Sequence, residues 1–573
     1  MTSGMKKGLT AYGDAEFSLF LRKAFIKAMG LSDDALERPI VGIADTRSDY
    51  NACHANVPQL VEAIKRGVML AGGLPMAFPT ISIHESFAHP TSMFLRNLMA
   101  MDTEEMLRAQ PMDAVVLVGG CDKTIPAQLM GACSVDLPTL VVPVGPMLVG
   151  HHDGEELGAC TDCRRLWSEF RGGRLDAIQI EAVNARLAPT AGTCMVMGTA
   201  STVACMVEAM GLALPGAGTI PATHADRLRL AEASGRRAVG LAQAGGPTPT
   251  ALLGERSLRN GFVVMQALGG STNALVHFTA VAGRLGMRVD LDAIDALGRE
   301  VPVLVDLKPA GAHYMEHFHW AGGVPRLLRE LGDLVDLEAP TVGGATLRDV
   351  VAAAEDVRGQ AVIRSRARPV NAGGSMVVLR GNLAPRGAIL KQAAATPALL
   401  QHTGRAVVFE SLADMAARLD DPALDVRPDD VLVLRHAGPI GAPGMPEAGY
   451  LPIPRKLAQQ GVKDMVRLSD ARMSGTAFGT IVLHIAPEAA IGGPLALVRS
   501  GDPIRLDAHA RTLDLLVDDA DLAQRRAALV LPSPHAAPMP ARGYGALFQR
   551  SVLQADEGCD FDFLVPGRAA GGA

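Results

Sequence analysis

Three of the eight cysteines stand where an α/β chain presents ligands. Cys121 follows the apolar run Val-Val-Leu-Val and two glycines and is followed by Asp122, Lys123 and Thr124, so a buried strand would end in a group of reactive side chains. Cys53, in Asn-Ala-Cys-His, precedes a helix predicted to begin near Asn56, and Cys194, in Gly-Thr-Cys-Met, precedes a helix-period run through Met210. A helix N-terminus near either thiol would favour thiolate. A single cysteine is more often a small buried hydrophobe, and Cys133 and Cys205, inside helix-like runs, are read that way. The spacings of 68 and 73 residues from Cys53 to Cys121 to Cys194 are too wide for a zinc ribbon or a ferredoxin-type run. Cys160-Thr-Asp-Cys163 has redox or half-zinc spacing, but no second pair stands at ribbon distance, so it reads as a structural pair of thiols. Glu447 lies in a Gly- and Pro-constrained loop, Gly438–Gly449, of the kind that positions functional groups. Glu85 on its own would be a solvated carboxylate, His84 and His89 ordinary hydrogen-bonding residues, and Ser474-Gly475 a turn.

The elements that must position these residues follow from apolar patterning. Ile40–Ile43, Ala114–Val118 and Leu140–Val144 are short apolar runs closed by Gly, Asp or Pro, which suits buried parallel strands. Between the first two, Val57, Leu60, Val61, Ile64 and Val68 recur at helical spacing until Gly72 and Gly73. This is α/β texture. Near Pro369–Gly374 it changes. Short strand candidates follow at Met376–Leu379, Ala406–Phe409, Val431–Leu434, Ile481–His484 and Leu513–Val517, several of them joined by Gly/Pro turns. We expect an α/β domain over residues 1–372 and a smaller β-rich, barrel-like domain over 373–573.

The chain of 573 residues carries 60 acidic and 54 basic side chains, a small imbalance with no long basic run, which argues against nucleic acid or an anionic membrane as partner. There is no signal-like N-terminal stretch and no run of ~18 uninterrupted apolar residues, so a cytoplasmic protein is expected. No GxGxxG or GxxxxGK[ST] loop points to a nicotinamide or ATP.

Six segments, taken in order, resemble the dihydroxy-acid and sugar-acid dehydratases: Gly-Gly-Cys-Asp-Lys-Thr (119–124), Gly-Thr-Cys with Met-Gly-Thr-Ala-Ser-Thr (192–202), Gly-Gly-Ser-Thr-Asn (269–273), Arg-Gly-Asn-Leu-Ala-Pro (380–385), Gly-Ala-Pro-Gly-Met-Pro-Glu (441–447) and Asp-Ala-Arg-Met-Ser-Gly (470–475). The resemblance implies that Cys53, Cys121 and Cys194 ligate a [2Fe–2S] cluster, with one iron left open as a Lewis acid. It further implies that Asp122, a carbamylated Lys123, Glu85 and Glu447 hold Mg2+, an oxygen-only set that suits a hard cation. Ser474 would be the catalytic base, its hydroxyl acidified by a neighbouring cation. The expected product is a 2-oxo-3-deoxy acid and the expected assembly a homodimer or homotetramer. The stretches 158–165, 221–227 and 314–323 resemble the aldonate branch, with the L-arabinonate dehydratases as the group most alike. D-xylonate, glycerate and the dihydroxy acid of branched-chain amino-acid biosynthesis stay open as substrates.

Overall fold

The computed structural model describes residues 3–9, 12–531 and 542–567. The predicted parallel strands form a four-stranded sheet, built from β1 (Ile40–Asp45), β2 (Leu74–Pro79), β3 (Ala114–Gly119) and β4 (Thr139–Pro143) in the order β2-β1-β3-β4. All three pairings are parallel. Strands β1, β3 and β4 are almost wholly buried, as their unbroken apolar runs require, and β2, in which only Leu74 and Phe78 are buried, occupies an edge. Its Pro75 and Pro79 fit an edge position, where a missing N–H is tolerated, and they also hid β2 from a search for apolar runs.

The helix Val57–Leu70 crosses from β1 to β2 and buries Val57, Leu60, Val61, Ile64 and Val68, the face predicted from their spacing. It lies against the helix Ala225–Ala244 at a contact too close for side chains. A Cβ on Gly67 would stand 2.0 Å from the Glu232 carbonyl oxygen, and one on Gly235 would stand 2.2 Å from that of Ile64.

A hairpin of β5 (Gly150–His152) and β6 (Glu155–Leu157) precedes a long run of helices. Beyond it an eight-stranded sheet forms in the order β14-β13-β9-β10-β11-β12-β8-β7. Its strands are β7 (Val377–Leu379), β8 (Gly387–Leu390), β9 (Gln401–Phe409), β10 (Val431–Leu434), β11 (Arg467–Ser469), β12 (Ile481–Ala486), β13 (Pro503–Asp507) and β14 (Thr512–Leu515). Strands β9 to β12 pair in parallel, and the flanking strands pair antiparallel. Arg380, just past β7, bridges Thr512, with Leu513 N–H donating to the Arg380 carbonyl at 2.8 Å, so the sheet nearly closes into a barrel. The expected barrel-like region is present, and β8, β11 and β13 are the strands that sequence patterning passed over. The two cores share residues, since Met376, Val378 and Ile389 pack into the N-terminal one. No helix among the described residues is long and apolar enough to cross a membrane.

Gly67→Ala is expected to destabilise the chain by about 1–3 kcal/mol, because the added methyl meets backbone that cannot move aside. A thermal midpoint equal to that of the parent would contradict this packing.

Candidate active site

Three carboxylates from remote segments meet. Glu85, Asp122 and Glu447 bring oxygens within 4.8 Å of one another. Glu85 opens a short 3-10 turn, Glu85–Phe87, beyond β2, and its carboxylate accepts from Thr91 Oγ1 at 2.7 Å and from Ser92 Oγ. Asp122 and Lys123 lie between β3 and the helix Thr124–Val135. Glu447 opens the turn Glu447–Tyr450. Its loop reaches Glu85 because Gly444 (φ +87°) presses onto the start of the helix Ser92–Ala109, where a Cβ would stand 2.5 Å from Thr91 and 2.6 Å from Phe94.

Two buried cations hold this acidic group. Lys123 Nζ lies 3.0 Å from Glu85 and 3.8 Å from Glu447 and hydrogen-bonds Asp122. Arg472 donates to Glu447 at 2.6 Å, to Glu85 at 3.1 Å and to Thr91 Oγ1 at 2.8 Å. Burial pushes the Glu85 carboxyl up, but Lys123 and Arg472 outweigh it and hold the group well below the carboxylate range. Burial and Arg472 press the Lys123 ammonium down, while Asp122, Glu85 and Glu447 more than restore it, so that it stays protonated above its ordinary range.

A thiol group adjoins this oxygen group through the consecutive residues Cys121 and Asp122. Sulfur or ring-nitrogen atoms of Cys53, Cys121 and His84 come within 4.8 Å of one another. A hydrogen bond with Cys121, burial, and the nearby Cys121 and Cys194 sulfurs raise the Cys53 thiol well above its ordinary value. The expected helix-stabilised thiolate is therefore corrected. Cys53 sits in the 3-10 turn Ala52–His54 ahead of Val57, and Cys194 lies five residues before the helix Thr199–Ala209, so neither occupies a helical first turn. The hydrogen bond with Cys121 and burial hold Cys53 as a thiol.

His54 fixes the geometry of this pair. Its Nε2 accepts the N–H groups of Gly120 and Cys121, both at 3.0 Å, and its Nδ1 lies 2.9 Å from the Thr46 carbonyl. Burial pushes the ring down to about 4, which keeps Nε2 an acceptor at neutral pH. The residue after the first cysteine thus anchors the backbone of the second.

The Ser474 turn is held by the other region of the chain. Asn273 Nδ2 donates to the Met473 carbonyl at 3.0 Å, and Thr161 Oγ1 donates to the Thr476 carbonyl at 2.9 Å. Gly475 admits Ser271, whose Oγ would stand 2.3 Å from any Cβ there. The Ser474 hydroxyl shares a 2.7 Å hydrogen bond with Thr476 Oγ1. Against Gly475 lies Lys391, buried, its Nζ 3.3 Å from the carbonyl oxygen; burial pushes it down to about 7.

The residues that the resemblance assigned thus fall in three groups: thiols, carboxylates with Lys123, and the turn at Ser474, two residues beyond Arg472. The sequence reading missed Arg472, His54 and Lys391. Arg472 stood two residues from Ser474 inside a quoted motif and carried the signal of an arginine among apolar neighbours. His84, set aside as an ordinary histidine, lies against the thiols. The expectation of a purely structural Cys160/Cys163 pair is also revised, since Cys160 Sγ is 3.0 Å from Cys194 Sγ. Polar residues expected to meet substrate hydroxyls are partly spent on the fold. Arg227 donates to the backbone carbonyls of Pro143, Ala217 and Ile220, and Asp162 is bound by Lys308 and Tyr314. Arg164 has no carboxylate partner among the described residues. It lies over the Tyr450 ring and lines a cleft of about 470 Å³ with Cys163, Trp167, Tyr450, Lys463 and Phe478.

The N-terminal model of the dihydroxy-acid/6-phosphogluconate dehydratases matches residues 38–350, and the C-terminal model matches residues 361–559. The chain is 47% identical to the L-arabonate dehydratase of Azospirillum brasilense over 568 residues, 98% of this chain and 97% of that protein. It is 44% identical to the 6-deoxy-6-sulfo-D-gluconate dehydratase of Pseudomonas putida over 554 residues, 96% and 95% of the two chains. With the dihydroxy-acid dehydratase of Methanothrix thermoacetophila it shares 38% over 547 residues, 94% and 96%.

Lys391 generates a pH prediction. Its ammonium titrates near 7 in the fold against 10.5 in the open chain. The unfolded state therefore binds the extra proton between these values, and stability rises with pH across that window. Lys391→Met removes the cost of burying this amine, so it should raise the thermal midpoint at pH 6 by on the order of a few degrees and by less at pH 9. A margin that does not change with pH would contradict the assignment.

Proposed function

The chain belongs to the dihydroxy-acid/6-phosphogluconate dehydratase family and is a hydro-lyase, and on that premise we propose that it dehydrates an aldonate, such as L-arabinonate or D-xylonate, to a 2-oxo-3-deoxy acid, using a [2Fe–2S] cluster and Mg2+. The observation that carries the reading is the meeting of Glu85, Asp122 and Glu447 beside Cys121 and Cys53. The higher identity to relatives named for sugar acids, 47% and 44% against 38%, supports the aldonate over the dihydroxy acid. Arg164, which has no carboxylate partner among the described residues and lines a cleft with Tyr450, suits an anionic ligand of either kind.

The donor chemistry fits both cofactors. Cys53, Cys121 and Cys194 offer soft sulfur for a cluster, and Glu85, Asp122 and Glu447 offer hard oxygen for magnesium. Lys123 Nζ stands among those oxygens as an ammonium. Carbamylation would exchange that cation for a fourth oxygen donor. When bound, the magnesium ion would supply positive charge at the substrate carboxylate and 2-hydroxyl, and the cluster a Lewis-acidic iron at the 3-hydroxyl.

The chain's own residues do the rest. Ser474 Oγ, deprotonated to the alkoxide that a neighbouring cation would favour, takes the proton from C2, with Asn273 and Thr161 fixing the backbone on either side of it. The C3–O bond breaks, and the departing hydroxide leaves as water with the proton that Ser474 took. The enol then loses its hydroxyl proton as one is added at C3, which gives the 2-oxo acid. Thr476 Oγ1, 2.7 Å from Ser474 Oγ, orients the hydroxyl. The remaining expectations are part of the same proposal: a cytoplasmic homodimer or homotetramer, no nucleic-acid or membrane partner, and domains divided at 372/373. Phe20, Phe25, Tyr50 and Phe87, exposed by 66–73%, support an oligomer.

Protein purified without oxygen should contain iron and acid-labile sulfide and should convert L-arabinonate or D-xylonate to a 2-oxo acid faster than glycerate or 2,3-dihydroxyisovalerate. A visible cluster spectrum with no turnover on any of the four would overturn the reading. Ser474→Ala should keep that spectrum and lose about 10²–10⁴-fold in kcat, and unchanged turnover would remove Ser474 as the base.

A further inference from the structure

Cys160 holds a backbone conformation that favours glycine, with φ of +78°. It is the N-cap of the helix Thr161–Arg171, and Cys163 stands in the first turn of that helix. Backbone strain of this kind persists where the surroundings hold it, and it concentrates at functional positions. The surroundings here are rigid. Asp162 accepts from Gly158 N–H at 2.8 Å, Lys308 Nζ at 3.0 Å and Tyr314 Oη at 2.9 Å, and Thr161 is tied to the Thr476 carbonyl. None of these contacts uses a sulfur, so both thiols remain for other work. Cys160 Sγ lies 3.0 Å from Cys194 Sγ and also hydrogen-bonds the Cys163 thiol. Cys163 in turn lines the cleft beside Arg164 and Trp167. The three sulfurs therefore connect the cleft wall to a proposed cluster ligand; the hydrogen bond with Cys160 and burial raise the Cys163 thiol well above its ordinary value, and it is the contact between the thiols that places them for exchange with one another.

We propose that Cys160 and Cys163 form a redox-active dithiol that caps Cys194 when the cluster is absent and releases it for assembly. The inference rests on reading Cys194 as a cluster ligand. A small-molecule disulfide such as glutathione disulfide is the oxidant. Cys163 Sγ attacks it and passes its thiol proton to the departing sulfur, forming a mixed disulfide and expelling one glutathione. Cys160 attacks Cys163 Sγ and expels the second glutathione, which leaves a Cys160–Cys163 disulfide. Cys194 then attacks Cys160 Sγ, so that the Cys160–Cys194 bond forms as the Cys160–Cys163 bond breaks, and Cys163 leaves as a thiolate. Two protein thiols are oxidised, one glutathione disulfide is reduced, and the two thiol protons end on the released glutathione. Each exchange is reversible, so a reduced thiol arriving at Cys163 runs the relay backwards and frees Cys194.

The test uses the full chain, both as isolated with its iron and after anaerobic chelation, exposed to glutathione disulfide, alkylated, digested and mapped by mass spectrometry. Cys160–Cys163 and Cys160–Cys194 peptides should appear in the cluster-free protein and be absent from the iron-loaded one. Cys163→Ser should slow formation of the Cys160–Cys194 link by about tenfold or more. Cys160→Gly, which the φ angle accommodates, should fold normally by circular dichroism, abolish both links and leave Cys194 alkylated. Recovery of Cys160 fully alkylated from the oxidised cluster-free parent would overturn the proposal, as would Cys194 linked to Cys53 or Cys121, or links equally abundant with the cluster in place. The iron and sulfide content of the isolated protein judges the cluster reading separately. A chain that never carries iron yet forms both links would defeat that reading while leaving the dithiol chemistry standing.

Discussion

Three carboxylates whose oxygens lie within 4.8 Å of one another repel, and the rest of this molecule is arranged around that repulsion. Glu85, Asp122 and Glu447 face two cations that are almost wholly buried, Lys123 and Arg472, which leaves one uncompensated negative charge. A buried charge is tolerable only when paired and hydrogen-bonded. The five charges come from four segments: a turn after β2, the end of β3, which carries both Asp122 and Lys123, the Gly438–Gly449 loop, and the segment between β11 and β12. The charges therefore join the parallel sheet to the barrel. Removing either cation would leave three carboxylates facing a single positive charge, a state that favours taking up a metal ion or a proton.

The same logic runs through the polar contacts around the site. His54 spends its ring on the backbone of Gly120 and Cys121, and Asn273 and Thr161 spend their side chains on the backbone around Ser474. None of these groups need touch substrate. They fix the positions of those that would, which is what a reaction dependent on small displacements requires. Glycines serve the same end. Gly444 and Gly475 lie where the two regions approach too closely for a Cβ, and both belong to the segments that carry Glu447 and Ser474.

The sequence made the sheet legible because its central strands are unbroken apolar runs. It also placed the helix Val57–Leu70, whose buried face repeats at helical spacing. It concealed β2, where two prolines interrupt the pattern, and β11, whose three residues include a buried arginine, Arg467. The site was half legible. Cys121 and Asp122 stand at a strand end, where local pattern suffices. Ser474 reads locally as a turn and Glu85 as a surface carboxylate, since their meaning lies in neighbours some hundreds of residues away. Arg472 was hidden for the same reason. Long-range charge pairing leaves no periodicity to find, and only the ordered resemblance of whole motifs carried those residues into view.

Soft and hard donors meet at one peptide bond. Cys121 faces the sulfurs, and Asp122 and Lys123, next in sequence, face the carboxylates. Cys121 Sγ lies 3.6 Å from Asp122 Oδ1, and Gly120 before them is packed so closely that a Cβ would stand 2.0 Å from Val144. This gives the proposed chemistry its scale. Loss of water from adjacent carbons needs one centre to acidify a proton and another to receive a hydroxyl one bond away. In the proposed reading, two ligand sets anchored on consecutive residues would hold those centres close together, and folding need only bring the remaining donors to a pair the strand end already defines.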